Sequence, residues 1–395
     1  MTSPTTDRGR EGHLRLAWFG HAVGERADGL TTYSAEVVGG LRRRGVEVWF
    51  HHASRDGLIA PVPEDHRLGW PTWRFKTVTV SRFGFRGELS SWLARVRPDL
   101  VHTSLSFTLA DGWIGQQARA VGAATVVTFH LPFGPEGSGR ARVMRQLHRF
   151  WAPRLRAYQR VIVFSEGHRD RLAEVGVERS RIEVLPNAVD TGVFCPGPSR
   201  IRRTRLAGAS LVVGFAGRLD PEKGLPQLLD GFLGAELGPD ARLIIAGAGA
   251  LVERVRAAQS DPRVIYLGRL LTLEERVDFW RGVDVFCLPS NAEGLSLALL
   301  EAMASGCAVA ATPEGGATLV GGVATTLNPT SLADSVSQLL HLLMQEPAEL
   351  RRRGVMAREE AERHHGMSAM LDRLLGIYAE CLRRAAGDVS SAGQP

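Results

Sequence analysis

The chain reads as an α/β protein built from two Rossmann-like, doubly wound domains that face a cleft, with C-terminal helices packing back across their junction. Three observations carry that expectation. Short apolar runs rich in β-branched residues alternate with amphipathic helical stretches. The alternation breaks at a segment bearing prolines and glycines and then starts again. The tail is helical, with one charged and one more apolar piece. Strand–helix alternation of this kind implies parallel sheets with helices on both faces.

In the first half, strands are expected at residues 14–19, 46–51, 99–103, 124–129 and 160–164, with helices at 31–44, 110–121 and 166–175. The stretch CPGPSRIRRTRLAGAS, from Cys195 to Ser210, has no strong apolar period and reads as a domain boundary, with the linker at 198–210. Strands resume at 211–216, 242–246, 264–267, 284–288 and 307–311. Beyond them a charged helix at 349–363 precedes a break at Gly366. Met370, Leu371, Leu374, Leu375, Tyr378 and Leu382 then recur at helical spacing. The expected organisation is a disordered start (1–13), an N-terminal domain (14–197), the linker, a C-terminal domain (211–365), a crossover helix (366–386) and a disordered tail (387–395). Ligands of doubly wound folds bind beyond the carboxyl ends of the strands, and two such edges can face each other here.

Composition narrows the function. At 395 residues the chain exceeds one typical core, and 44% hydrophobic content with 44 glycines and 20 prolines suits a soluble α/β protein. No apolar run reaches the roughly 18 residues that span a bilayer, and the run at 14–19 is too short for a secretion signal, so a cytoplasmic location is expected. Cys195, Cys287, Cys307 and Cys381 lack metal-ligand spacing and read as reduced thiols. Residues 1–200 carry 28 Arg/Lys against 19 Asp/Glu, and the remainder 20 against 23. The N-terminal half is therefore expected to meet something anionic.

Two motifs carry chemistry. EGLSLALLE, from Glu293 to Glu301, follows an apolar strand ended by Pro289 and Ser290. Gly294 opens a turn and 297–304 reads as a buried helix, so the two carboxylates stand roughly 10 Å apart with helix N-terminal N–H groups between them. A nucleotide-sugar matches that layout: sugar hydroxyls at one end, ribose at the other, and a pyrophosphate that a helix N-terminus favours. GFAGRLDPEKG, 214–224, brings Arg218 and Lys223 to a strand-to-helix crossing, a forked cation and a point charge suited to phosphate oxygens. Lys223 is one of only two lysines, the other being Lys76.

These pieces resemble the retaining nucleotide-sugar glycosyltransferases of the GT-B fold, in their fourth family (glycosyl transferases group one). GRLDPEKG resembles the family's pyrophosphate-binding stretch, and Glu293 with Glu301 its paired-glutamate motif. LPNAVDTGVFCPG resembles the segment ending the N-terminal domain, VVTFH the position of an active-site histidine, and ADGLTTYSAEVVGGLRRRGVEV the glycine loop and first helix. The resemblance spans roughly residues 14–384. It implies an acceptor-binding N-terminal domain and a donor-binding C-terminal one. Glu293 would contact the transferred sugar and Glu301 the ribose, while Arg218 and Lys223 would neutralise the departing pyrophosphate. Backbone at Gly294, Leu295 and Ser296 would add donors, Gly29 would admit the phosphates, His130 would sit beside the sugar, and Gly268, Arg269 and Leu270 would flank the base. The implied chemistry uses no cofactor and no metal, and no Asp-x-Asp pair is present to hold one beside the phosphates. Departures are Asp28-Gly29 where Gly-Gly is usual, Asn187-Ala188 for Asn-Gly, and a shortened stretch at 312–329.

Other signals are weaker. Gly247-x-Gly249 lacks the third glycine of a dinucleotide fingerprint and reads as a close-packed turn. From Gly139 to Arg160 there are seven arginines and no acid, with apolar residues at helical spacing and Pro153 to end or kink the helix. That pattern reads as an anionic membrane surface element, against an ordinary domain helix as the alternative. No nucleic-acid module is recognisable. The expected function is transfer of a hexose from a UDP- or GDP-sugar to a lipid or cell-envelope glycan precursor, peripheral at the inner face of the cytoplasmic membrane. A small-molecule acceptor, or a nucleotide-sugar epimerase on the same scaffold, is the alternative.

Overall fold

The computed structural model describes residues 13–20, 29–52, 72–75, 78–81, 85–105, 110–130, 139–291 and 295–391. The N-terminal domain runs through β1 (Arg15–Gly20), α1 (Gly29–Arg43), β2 (Glu47–His52), β3 (Thr72–Phe75), β4 (Val78–Ser81), α2 (Phe85–Val96), β5 (Leu100–Leu105), α3 (Ala110–Ala120) and β6 (Ala124–Phe129). It continues with α4 (Gly139–Trp151), β7 (Arg160–Val163), α5 (Glu166–Glu174) and β8 (Ile182–Val184). The C-terminal domain comprises α6 (Arg200–Thr204), β9 (Leu211–Arg218), α7 (Leu225–Gly234), β10 (Ala241–Ala248), α8 (Val252–Ala258), β11 (Val264–Gly268), α9 (Leu273–Gly282) and β12 (Val285–Leu288). It then adds α10 (Leu297–Ala304), β13 (Ala308–Ala311), β14 (Thr325–Thr326), α11 (Leu332–Gln345) and α12 (Pro347–His364), and the chain closes with α13 (Met367–Ser391).

Each domain holds a six-stranded sheet whose described pairs are all parallel, ordered β2-β1-β5-β6-β7-β8 and β11-β10-β9-β12-β13-β14. Central strands such as β9 are buried continuously from Leu211 to Phe215 because helices cover both faces. Strand order reverses between β9 and β12, which opens a crevice at their carboxyl ends. Both chemistry-bearing motifs emerge there.

The sequence reading left out β8, β14, α2, α9, α11 and the antiparallel hairpin β3–β4, which pairs Thr72–Phe75 with Val78–Ser81. β14 is two residues long, and the two residues between the hairpin strands in the sequence, Lys76 and Thr77, include no glycine or asparagine to announce a turn. The linker contains a short helix, α6, whose N-cap Ser199 accepts from the Arg202 N–H. The last helix extends to Ser391, so residues 387–391 are helical where disorder was expected.

That helix joins the two ends of the molecule. Met370, Leu371, Leu374 and Tyr378 of α13 are buried among Leu16, Trp18, Val37 and Leu41 of the N-terminal domain. Inside this core, Tyr378 Oη lies 2.6 Å from His102 Nδ1, and His102 Nε2 lies 2.7 Å from Thr128 Oγ1. Burial pushes the His102 pKa down to about 3, so the ring is neutral and bridges two hydroxyls. The buried Arg160 side chain closes the far end, 2.5 Å from Glu380 and 3.2 Å from Glu183. Tyr378→Phe leaves the His102 nitrogen without its partner and is expected to destabilise the protein by about 1–3 kcal/mol in urea unfolding.

Candidate functional site

The crevice between β9 and β12 is held together by backbone. After β9, the turn Pro221–Lys223 ends at Gly224, which adopts φ +69° and caps α7. A Cβ at Gly224 would stand 1.9 Å from the Pro289 carbonyl oxygen, so only glycine allows this approach. Two bonds complete the junction: the Asn291 N–H donates to the Glu222 carbonyl at 2.8 Å, and the Ser290 hydroxyl donates to the same oxygen at 3.1 Å. The cation-bearing turn is thereby fixed against the segment that leads into α10. Next to it, Gly247 packs so closely that a Cβ would lie 1.8 Å from the Gly217 carbonyl. The glycines of Gly247-x-Gly249 therefore serve a close-packed turn.

Arg218 stands at the carboxyl end of β9, exposed, in ion pairs with Asp220 and with Glu222 at 3.0 Å. Lys223 is partly buried; burial foremost, then the nearby Arg218, lowers its pKa to about 8. Leu295 is buried, and its carbonyl accepts from Asn187 Nδ2 of the N-terminal domain at 2.6 Å. Ser296 is the N-cap of α10, and Leu297 packs against the N-terminal core. The amino end of α10, whose first N–H groups have no intrahelical acceptor, thus sits at the domain junction. Glu293 and Gly294 lie outside the described residues.

Glu301, one turn into α10, has 6% of its surface exposed. Its Oε1 is 3.0 Å from an Arg276 nitrogen, and its Oε2 accepts from Trp280 Nε1 at 2.7 Å. Burial raises its pKa to about 7, against the opposing pull of Arg276. Gly268 takes φ +75° at the carboxyl end of β11, an edge strand, followed by exposed Arg269 and half-buried Leu270.

On the N-terminal side, His130 follows β6. Its Nε2 lies 2.8 Å from the Ser104 hydroxyl of β5, and its ring meets Tyr33 edge-on at 4.9 Å and Phe164 at 5.0 Å. Tyr33 and Phe164 belong to the core against which Leu297 packs, so His130 and the start of α10 flank one junction. Gly29 opens α1, and among the described residues no atom lies within 4 Å of where its Cβ would stand. Sequence reasoning did not single out Ser104, Arg276 or Trp280. The spacing of Arg276 and Trp280, four apart on one helix face, was a legible signal.

A cation-bearing turn and a helix terminus at the switch point of one parallel sheet, abutting a second such sheet, define a two-domain transferase of the GT-B fold. The chain belongs to the glycosyltransferases of this kind: residues 27–193 match the family described as Glycosyltransferase Family 4, and residues 210–342 match Glycosyl transferases group 1. It is similar to the D-inositol 3-phosphate glycosyltransferase of Nocardiopsis dassonvillei, at 28% identity over 90% of each chain. It is also similar to the GDP-mannose-dependent alpha-mannosyltransferase of Mycobacterium tuberculosis, at 26% identity over 92% of this chain and 96% of that one. Among solved structures, sucrose-phosphate synthase from Thermosynechococcus elongatus superposes with a TM-score of 0.77 over 94% of this chain and 100% of its own, at 19% identity.

Gly224→Val would force a side chain into the Pro289 carbonyl at a left-handed φ. It is expected to cost on the order of 3 kcal/mol, read as a lowered midpoint of thermal unfolding.

Proposed function

We propose that this enzyme transfers a hexosyl residue from a UDP- or GDP-sugar, with retention of configuration and without a metal in the step, to a lipid or cell-envelope glycan precursor held by the N-terminal domain. The observation that carries the reading is the backbone junction of Glu222 with Ser290 and Asn291, which sets Arg218, Lys223 and the amino end of α10 around one crevice. Cleavage of the glycosyl–phosphate bond builds negative charge on the leaving diphosphate. Preorganised donors aimed at that charge are the largest available effect, one such donor being worth on the order of 3 kcal/mol. Arg218 exchanges its carboxylate partners for phosphate oxygens, and Lys223 supplies a second cation. Glu301 accepts from the ribose and Glu293 from the sugar. His130, oriented by Ser104, positions the sugar from the other domain. With the glutamates engaged by hydroxyls, the acceptor attacks from the face the diphosphate leaves.

The acceptor class is supported by α4. Val143, Leu147 and Phe150 are 61%, 39% and 56% exposed along one helical stripe. Arg142, Arg145 and Arg149 are exposed beside them, and the Arg154 guanidinium lies 4.3 Å from the Phe150 ring centroid and 4.6 Å from that of Trp151. An apolar stripe bordered by arginines suits an anionic lipid surface. No helix among the described residues is long and apolar enough to cross a membrane, so contact is peripheral in this reading.

Three measurements test the proposal. Titration with UDP, GDP and ADP should show one nucleotide stabilising the protein, by about 2.7 kcal/mol at a hundred times Kd, and Lys223→Ala should remove the effect. Because a bound diphosphate favours the charged lysine, binding near pH 8–9 should take up protons, as read by calorimetry in buffers of different ionisation enthalpy. Flotation with phosphatidylglycerol vesicles, but not phosphatidylcholine vesicles, should carry the protein, and Leu147→Glu with Phe150→Glu should abolish it. Failure of every nucleotide to bind would overturn the donor reading.

A further inference from the structure

Arg276 meets three parts of the molecule at once. One nitrogen is 3.0 Å from Glu301 of α10, and another donates at 2.9 Å to Glu36 of α1 in the N-terminal domain. Its guanidinium carbon lies 5.4 Å from the ring centroid of Phe194, in the segment joining the domains. The helix that carries it is set firmly: α9 begins with a reciprocal capping box between Thr272 and Glu275. Four residues on, Trp280 projects from the same face to the other oxygen of Glu301. A carboxylate offers about four lone-pair sites, two on each oxygen. Arg276 and Trp280 use one on each, which leaves one on each oxygen for a vicinal diol.

We infer that Arg276 is a positioning residue: it and Trp280 fix the Glu301 carboxylate in the rotamer that accepts both hydroxyls of the donor's ribose, and it ties that carboxylate to the helix that begins at Gly29. The inference rests on the nucleotide-sugar reading of the site. It follows from the rigid fork of arginine, which places one terminal nitrogen on each of the two carboxylates where a lysine offers a single, mobile point charge. It also follows from burial: the triad of Glu36, Arg276 and Glu301 is largely out of water, so loss of the shared cation leaves two buried carboxylates facing each other.

The electrostatic consequence has a definite sign. The groups that act on Glu301 are Arg276 and the Trp280 N–H, which favour its charged form, and Glu36, which opposes it; Asp190 in turn faces Glu36, with Arg43 4.0 Å from Asp190. Ribose hydroxyls donate to the ionised carboxylate, so nucleotide affinity should rise with pH through the Glu301 midpoint, near 7. Removing Arg276 moves that midpoint up, and removing the Glu36 charge moves it down.

The test uses the full-length protein and measures binding of UDP or GDP (whichever wild type takes), its 2′-deoxy counterpart and inorganic pyrophosphate. Wild type is expected to prefer the ribonucleotide by about tenfold, a typical value for a lost charged hydrogen bond. Arg276→Leu should erase that preference while leaving pyrophosphate affinity unchanged, and Arg276→Lys should restore part of it. Glu36→Gln should keep the preference and lower the pH midpoint of nucleotide affinity, whereas Arg276→Lys should raise it. Should Arg276→Leu fail to fold, the Arg276→Lys and Glu36→Gln pair carries the test through the same two readouts. Undiminished ribose preference in the Arg276 variants, loss of pyrophosphate binding in step with it, or pH shifts of the same sign would overturn the inference. Absence of nucleotide binding in wild type would instead strike the donor reading.

Discussion

The site depends on how closely two stretches of backbone approach at the carboxyl ends of β9 and β12. Gly224 lies against the Pro289 carbonyl, and the Glu222 carbonyl receives both Asn291 N–H and Ser290 hydroxyl. These contacts are short and involve main chain on at least one side, so they leave little freedom for the side chains above them. Arg218 and Lys223 inherit their positions from this junction, as does the segment entering α10. Adjacent strands of a parallel sheet cannot be joined directly, and a crevice opens where the order reverses. Without a residue lacking Cβ at 224, the two lips of that crevice could not meet.

Polar contacts span the junction between the domains alongside the apolar packing of α13. Asn187 holds the Leu295 carbonyl, Arg276 spans to Glu36, and Arg358 of α12 donates to the carbonyls of Thr191 at 3.0 Å, Phe194 at 2.8 Å and Ala304 at 2.5 Å. Ala304 ends α10, so Arg358 also satisfies that helix's carboxyl terminus. Charged groups around the crevice already have partners within the protein: Arg218 has Asp220 and Glu222, and Glu301 has Arg276 and Trp280. At Arg218 a ligand therefore exchanges interactions rather than filling vacant ones, which favours selectivity over raw affinity.

Much of this was legible in the residues. The buried runs of β1, β6 and β9 stood out because parallel strands covered on both faces are mostly apolar, and the stripe of α13 stood out by its period. The motifs 214–224 and 293–301 marked the crevice because their residue types suit a phosphate and a diol. What the sequence hid was pairing at a distance. Nothing near Glu301 in the chain announces Arg276, 25 positions earlier, or Glu36, 265 positions earlier, because both reach it only through the folded arrangement of α9, α10 and α1. Ser104 and His130 are likewise brought together by the pairing of β5 with β6. The short β14 and the hairpin β3–β4 escaped for want of length or turn chemistry.

The crossing of α13 bears on how the protein is made. The hydrophobic interior of the first domain is closed by side chains between Met367 and Cys381, which leave the ribosome after the second domain. During translation the early sheet must wait, one flank bare, while the entire second domain is synthesised. That order leaves apolar surface exposed during synthesis and ties maturation of the first half to synthesis of the second. A prematurely terminated product would lack a wall of its own first core, and quality control would meet it as a misfolded protein rather than as a half-active enzyme.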